Sequence, residues 1–534
     1  MKLKSISFLI LIFPFFLQCS KQDYDKGSFK TYEKVYLIYN HSESYVVWKK
    51  NNITNKTLIH IDAHSDIKRI PDDHFTKIHA IEKTGNFENL LCHSYETFNV
   101  NERPITIENF CYAAIENKLI NKYIWVVPDV ELTSKSIELY SNYFRKEIED
   151  LNFEDFKLDG NILIGEFKNI PIIICRLQDI PEVNEPVILD IDVDFFLHRQ
   201  GFKNKGMYDL PTTTAMSFIS QLNKKNLNID IITIAHSMEG GYTPIQYKYI
   251  GEDIFKIYKN GYQKDLFSHI ETRRNILKLY VDKKYKKALN KLLRFEKHTF
   301  KEGSLLYLKK QILNKLNLED EALLVKEELL KEDSFYNKEY VINGDVYFNE
   351  QKFHNAFTFY KKYFDNNPTH QYALEKIASY YFKEKKYDSA LKKYERLLSI
   401  NEKNFFAYSG LGKIALQKEE YEKAKEYVGK AIELNKYFPQ LYNNMAICEY
   451  SLGNIKKAKD YFLKVVELNP TFIGAYFNLG LFYRKLGDYQ KSIEMLHNHL
   501  KFSSTHKEKV YKIIAENYQE LGNIEEAEKY RSME

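Results

Sequence analysis

Leu58-Ile59-His60-Ile61-Asp62-Ala63-His64-Ser65-Asp66-Ile67 decides how the first half of the chain is read. An apolar run that begins with Leu58 and Ile59 ends in Asp62, His64 and Asp66, at positions i, i+2 and i+4. Side chains alternate along an extended chain, so these three can face one point at the carboxyl end of a buried strand. Oxygen and imidazole ligands together suit manganese, iron or zinc better than calcium or magnesium. Taken alone, the stretch fits equally well a polar turn whose aspartate caps a following helix. A second stretch shifts the balance: Pro186-Val187-Ile188-Leu189-Asp190-Ile191-Asp192-Val193-Asp194-Phe195-Phe196 sets three aspartates at period two in a strongly apolar run. Strand interiors are depleted in Asp, and buried carboxylates are costly to desolvate unless cations or donors compensate them. A metal centre supplies that charge. The alternative is a solvent-facing row of Asp flanked by Val187-Ile188-Leu189 and Phe195-Phe196.

The chain has 534 residues, enough for about three to four domains. Its formal net charge of +5 is small for that length, and no basic cluster has the density of a nucleic-acid footprint; nucleic acid is not an expected partner. Cys19, Cys92, Cys111, Cys175 and Cys448 show neither CxxC spacing nor a dense framework, so neither a structural zinc site nor a disulfide scaffold is expected.

Lys2 and Lys4 precede an apolar run from Phe8 to Leu17 that is short for a bilayer span. Residues 1–19 therefore read as a targeting segment and 20–30 as a polar tether. Phe16-Leu17-Gln18-Cys19 resembles a bacterial lipoprotein processing site, which implies lipid on Cys19 and a chain anchored to a membrane of the cell envelope. Gln18 stands where Gly, Ala or Ser is expected. An uncleaved anchor or plain secretion stays open, and either would also put the chain outside the cytoplasm.

From Tyr32 to about Tyr249 short β-rich runs alternate with amphipathic segments, the pattern of an α/β domain. The clearest strands are Val35–Tyr39, Thr57–Ile61, Tyr123–Val127, Pro171–Cys175, Val187–Val193 and Ile229–Ala235, with connecting helices such as Ile107–Asn117 and Thr212–Lys224. Several strands are apolar on both faces, so a parallel sheet covered by helices is expected. Ligands of such sheets bind beyond the carboxyl ends of the strands, where Asp62 and Asp194 fall.

Asp62-Ala63-His64-Ser65-Asp66 resembles the Asp-Ala-His-x-Asp motif of the arginase and agmatinase superfamily, Asp192-Val193-Asp194 its later Asp-x-Asp motif, and Asn40-His41-Ser42 the end of its Gly-Gly-Asp-His-Ser motif. Val35-Tyr36-Leu37-Ile38-Tyr39-Asn40-His41, Trp48, Trp125-Val126-Val127-Pro128 and Ile232-Thr233-Ile234-Ala235 are similar to the branch that includes the peptide arginases. The resemblance covers roughly residues 32–250. It implies two divalent ions, manganese first and Zn2+ or Fe2+ as alternatives. His41, Asp62, Asp66 and Asp192 would hold one ion, and Asp62, His64, Asp192 and Asp194 the other. Asp190 matches no ligand position and reads as support behind the ligands.

Arginases grip guanidinium with a glutamate on a late strand, and Thr233 stands at about that place here. Glu239 follows shortly and is the candidate replacement; a solvated loop residue is the competing reading. Gly240-Gly241-Tyr242-Thr243 resembles the glycine-rich tyrosine segment of histone-deacetylase-like relatives, in which the tyrosine polarises an amide carbonyl, although a Gly-Gly turn with an incidental tyrosine also accounts for it. His236 and His93 are candidate proton shuttles or ordinary polar loop residues. The catalytic candidates are thus Glu239, Tyr242 and His236.

After Pro244 the chain becomes helical, Lys- and Tyr-rich and repetitive. Ala288, Ala322, Ala356, Ala390, Ala424, Ala458 and Ser492 recur every 34 residues, and Ala527 follows at 35. Twelve residues ahead of them come Gly344, Ala378, Gly412, Ala446, Gly480 and Ala515, small enough to let paired helices cross. Ile276 and Lys310 occupy that position in the first two repeats, which are degenerate. This is the tetratricopeptide (TPR) pattern, expected to stack into a solenoid of about eight helix pairs whose concave face takes a peptide or protein partner. Tyr372, Tyr408, Tyr442 and Tyr476 share one repeat position, as a ligand-facing row or as core packing.

The expected fold class is α/β plus all-α. Its parts are a signal segment 1–19, a tether 20–30, an arginase-like metallohydrolase domain 31–255 and a TPR solenoid 265–534. Two functions follow. One is an envelope-anchored binuclear hydrolase of a C–N bond, with peptide arginine as the first substrate. The other is an interaction protein whose α/β domain is vestigial or a metal-stabilised platform.

Overall fold

The computed structural model describes residues 29–92, 103–128, 131–150, 152–199, 203–204, 210–296, 302–502 and 507–533. Cys19, His93, the targeting segment and residues 20–28 of the tether lie outside them. Among the described residues no helix is long and apolar enough to cross a membrane.

Among the described residues ten strands form: β1 (Val35–Ile38), β2 (Lys56–Ile61), β3 (Ile120–Val126), β4 (Lys157–Asp159), β5 (Ile162–Phe167), β6 (Ile170–Cys175), β7 (Val187–Asp192), β8 (His198–Arg199), β9 (Lys203–Asn204) and β10 (Ile229–Ala235). Eight build one sheet in the order β1-β10-β7-β2-β3-β6-β5-β4, and β8 and β9 form a separate two-residue ladder. The six strands from β1 to β6 in that order pair in parallel, as their two-sided apolarity predicts. The sheet is nevertheless mixed, because β5 and β4 add an antiparallel edge. Lys157, Leu158 and Asp159 are exposed at that edge, so no buried alternation marked them in the sequence. Gly165 in β5 lies against the Phe156 ring, where an added Cβ would stand 2.6 Å from Cδ1, the close approach that a strand glycine permits.

Alternation along the strands divides the core. Leu58, Tyr123, Trp125 and Ile188 face helices α1 (Glu43–Lys50), α3 (Phe110–Glu116) and α4 (Ser134–Glu147), and α2 (Asp72–Thr84) adds Ile78 to the same cluster. Ile59, Ile61, Leu189, Ile191 and Ile232 face α5 (Ala215–Asn223) and α6 (Lys248–Asn260). Full burial of each such side chain stabilises the fold by about 1.5–3 kcal/mol. Two helix starts are capped locally: the Thr214 hydroxyl accepts from Ser217 N–H at 3.1 Å, and the Ser136 hydroxyl from Thr133 N–H at 3.0 Å.

The rest is helical: α7 (Lys264–Val281), α8 (Tyr285–Glu296), α9 (Gly303–Lys315), α10 (Glu319–Glu332), α11 (Glu339–Asn349), and then eleven more helices ending at Ile524–Arg531. The small residues do what their spacing predicts. Gly412 meets Val428 and Gly480 meets Leu496 at distances that leave no room for a larger side chain. Lys310, which breaks the pattern, is buried and forms an ion pair with Glu339 over the Tyr307 ring. The tyrosine row is not a uniform open face. Tyr372 and Tyr476 are buried, and their hydroxyls donate to Asp345 and to the Pro470 carbonyl at 2.8 Å.

Among the described residues the solenoid meets the sheet domain at the turn after β10, where Asn349 of α11 donates to the Gly240 carbonyl at 2.8 Å, and at other places as well. At the start, Arg273 of α7 pairs with Asp253 of α6 and with Glu302, and Lys248 lies 2.8 Å from Asp333. Farther along, Lys436 lies 3.1 Å from Asp73 at the start of α2, and the Tyr437 ring packs edge-on to His74 at 4.3 Å.

Candidate metal centre

The carboxyl ends of β1, β7 and β2 deliver the candidate ligands. His41 follows β1, Asp62 follows β2, Asp192 ends β7, and Asp194 sits in the turn beyond it. His41 Nδ1 lies 3.1 Å from Asp62 Oδ2, 3.0 Å from Asp66 Oδ2 and 3.0 Å from Asp192 Oδ2. On the other side of Asp62, His64 Nδ1 lies 2.8 Å from Asp194 Oδ2 and 3.6 Å from Asp62 Oδ1. Among the described residues three ligand-like groups result, His41–Asp62–Asp66, Asp62–His64–Asp194 and His41–His60–Asp190, and Asp62 belongs to the first two. Asp66 and Ser237 are held at positive φ, +49° and +44°, the kind of backbone strain that collects at functional sites.

Asp190 organises the layer below. Its carboxylate receives His41 Nε2 at 2.7 Å, His60 Nδ1 at 2.9 Å, Ser44 Oγ at 2.7 Å and, by a shorter bond, Thr233 Oγ1. His60, Asp190 and Thr233 are register partners on β2, β7 and β10, so three adjacent parallel strands bring them into one row. A proton on His41 Nε2 bound to Asp190 leaves Nδ1 as a lone pair facing the acidic group, the arrangement metal-ligating histidines adopt.

The donor set fits divalent cations. His41 Nδ1 and Asp62 Oδ2 are buried and make no aligned hydrogen bond, although they stand 3.1 Å apart: they converge on a common point rather than on each other. Burial disfavours a charged His41, yet Asp190 and Asp192 together hold its pKa well above the ordinary value. Burial, then the charges of Asp194 and Asp62, push Asp192 up to about 8, and burial with Asp62 pushes Asp66 up to about 6. These protons offset a surplus of negative charge, and a divalent ion would displace them.

A cavity of about 280 Å³ opens on this group. Besides His41, His64, Asp66, Asp192 and Asp194, it is walled by Tyr143, Tyr242, Glu108, Glu147 and Lys68. Lys68, 2.6 Å away, keeps the Glu108 carboxyl below its usual range against the effect of burial. Burial pushes Glu147 up to about 7 despite Lys68.

Of the residues singled out for catalysis, Tyr242 is at the cavity, its ring edge-on to His64 with centroids 4.9 Å apart and its hydroxyl 3.4 Å from Glu108. Glu239 and His236 are buried and are not among the cavity's walls. Glu239 accepts from Asn40 Nδ2 at 3.2 Å and faces Lys338 at 3.9 Å. His236 packs beside Tyr39 and Gly251, and burial with the Lys248 charge pushes its pKa down to about 3, so the ring is neutral. Thr233 is committed to Asp190. His60 was legible, since it lies two residues before Asp62 on the same strand face. Glu147, at the end of α4, carried no local signal.

Three tetratricopeptide-repeat models match the chain, at residues 407–438, 439–472 and 461–494. The C-terminal half is a TPR solenoid. No curated protein matches the chain. Similar solved structures include MamA, 23% identical over 29% of this chain and 91% of that chain (TM-score 0.27). PilF of Pseudomonas aeruginosa is 16% identical over 37% and 89% (TM-score 0.33). YrrB, described as a TPR protein with an unusual peptide-binding site, is 21% identical over 34% and 93% (TM-score 0.27).

Proposed function

We propose that this chain is a binuclear metal-dependent hydrolase of a C–N bond, with a TPR solenoid that docks a peptide or protein. The observation that carries the reading is Asp62, shared by two His/Asp groups whose other members, His41, Asp66, His64 and Asp194, line one cavity. His41, Asp62, Asp66 and Asp192 would hold one ion, and Asp62, His64, Asp192 and Asp194 the other, as the arginase-superfamily resemblance implies. Two adjacent divalent cations, manganese by preference, acidify water and stabilise charge on an attacked carbon. Around them the chain's own groups divide the work: Asp190 fixes the His41 and His60 rings, Tyr242 and Tyr143 wall the cavity, and beside them stand the Glu108–Lys68 ion pair and the Glu147 carboxyl, which a bound cation would keep ionised.

Arginine within a peptide is the first substrate on this reading, converted to ornithine and urea. Thr233 supplies no guanidinium grip, so that task falls to the wall carboxyl Glu147, since Glu108 is paired with Lys68. The manganese-loaded protein, incubated with arginine-containing peptides, should produce a mass loss of about 42 Da per arginine. Release of acetate from acetylated amines instead would move the assignment to deacetylase-like chemistry. The repeats themselves favour a second reading, a non-catalytic interaction protein, and absence of metal binding at neutral pH would leave that one standing. We also propose that lipid on Cys19 anchors the chain to the cell envelope. Identical detergent partitioning of wild type and Cys19→Ser would rule this out.

A further inference from the structure

The turn after β10 belongs to both halves of the molecule. It closes through Thr243 N–H, which donates to the Ser237 carbonyl at 3.0 Å, and it carries Gly240 and Gly241 at φ +78° and +77°. From one side the solenoid encloses it. Met238 and Ile245 are fully buried in a cluster with Leu306, Val341 and Ile342. Asn349, the last residue of α11, donates from Nδ2 to the Gly240 carbonyl at 2.8 Å. A Cβ on Gly241 would stand 2.5 Å from Val346 N and 2.8 Å from Asp345 Cβ, so α11 lies on the turn with no space for a side chain. From the other side, Tyr242 of the same turn walls the cavity and packs on His64.

We infer that α11 sets the geometry of the cavity: Asn349 and Gly241 are positioning residues for Tyr242, and the first intact repeat of the solenoid is a structural part of the site rather than an appendage. This rests on the proposed function only in taking that cavity for the reaction site. The turn has few anchors of its own. Two successive residues at positive φ give it freedom; Glu239 ties the turn to Asn40 at 3.2 Å and Thr243 closes it on Ser237, and α11 adds the contacts on Gly240 and Gly241. Displacement of α11 would therefore reach the candidate ligand His64 indirectly, through Tyr242.

The test uses the full chain. Asn349→Ala removes the bond to Gly240, Asn349→Asp keeps the shape without the donor, and Gly241→Ala wedges the turn away from α11. Backbone hydrogen exchange across residues 238–247 should quicken about threefold in both Asn349 variants and at least about tenfold in Gly241→Ala, with β7 unchanged. Cobalt(II) serves as the probe metal. Its visible bands should shift in intensity or position in all three variants, at unchanged stoichiometry, because Tyr242 packs on His64. Wild-type exchange in folded Asn349→Ala and Asn349→Asp would overturn the inference, as would faster exchange with an unaltered cobalt spectrum. If wild type takes up no cobalt, the metal-centre reading fails by itself, and exchange alone decides the role of α11.

Discussion

His41 turns Nε2 to Asp190 at 2.7 Å, and this contact decides which ring nitrogen faces Asp62, Asp66 and Asp192. Asp190→Asn removes the anionic acceptor shared by His41 and His60. Manganese affinity, measured by calorimetry, should fall about 10–100-fold, the usual effect of losing a partner behind a metal ligand. Ser44→Ala, which removes one donor to the same carboxylate, should cost less. Unchanged affinity in Asp190→Asn would separate Asp190 from any metal role.

Elemental analysis of the purified protein should find close to two divalent ions per chain. Asp62→Ala and Asp192→Ala should lose both, since each would bridge, whereas Asp194→Ala should retain about one. Manganese at about 100 times its Kd should stabilise the fold by about 2.7 kcal/mol, seen as a raised Tm that a chelator reverses. Full occupancy in Asp62→Ala would contradict the bridging assignment.

The junction between α6, α7 and Glu302 should make stability fall in acid. Burial works to raise the Glu302 carboxyl, but Arg273 at 2.8 Å and His269 at 2.5 Å hold it well below its ordinary 4.5. A depressed carboxylate contributes stability above its unfolded pKa and loses it as pH falls toward the folded one. The difference in urea midpoint between wild type and Glu302→Gln should therefore be full at pH 7 and shrink below about pH 4.5. Arg273→Met leaves Asp253 and Glu302 without their buried partner and should cost about 3–5 kcal/mol at pH 7.

Gly412→Ala probes the solenoid. The added Cβ would stand 2.7 Å from Cγ2 of Val428, which is fully buried. Overpacking costs about 1–3 kcal/mol, while the change in helix propensity returns about 1 kcal/mol. Net destabilisation is expected in denaturant titration, in contrast to Gly429→Ala, whose Cβ meets only Met445 Cε at 3.9 Å. Equal stability of the two variants would mean that the helix crossing does not depend on small residues.

Two periodicities made much of this protein legible in the sequence. Period two, in Asp62-His64-Asp66 and Asp190-Asp192-Asp194, marked strands that end in acidic groups, and the 34-residue recurrence of small residues marked the helix pairs. Both are local: alternation follows from the pleat and close helix crossing from the lack of side-chain bulk. The edge strand Lys157–Asp159 escaped this reading because an exposed edge strand needs no buried alternation.

What only the tertiary structure decided depends on register and on which faces meet. Asp190 acquires two of its four donors because β2, β7 and β10 align His60, Asp190 and Thr233 in one row and the other two, His41 and Ser44, from the segment after β1, and no local pattern encodes an offset between strands. Glu147 and Glu108 join the cavity wall from separate elements. Met238 and Ile245 lie in the sheet domain's part of the sequence yet are buried in the solenoid's core, because the turn that carries them is buried by a helix about a hundred residues later. Spacing along a chain specifies which side chains share a strand or a helix, whereas long-range packing specifies which of those elements share a site.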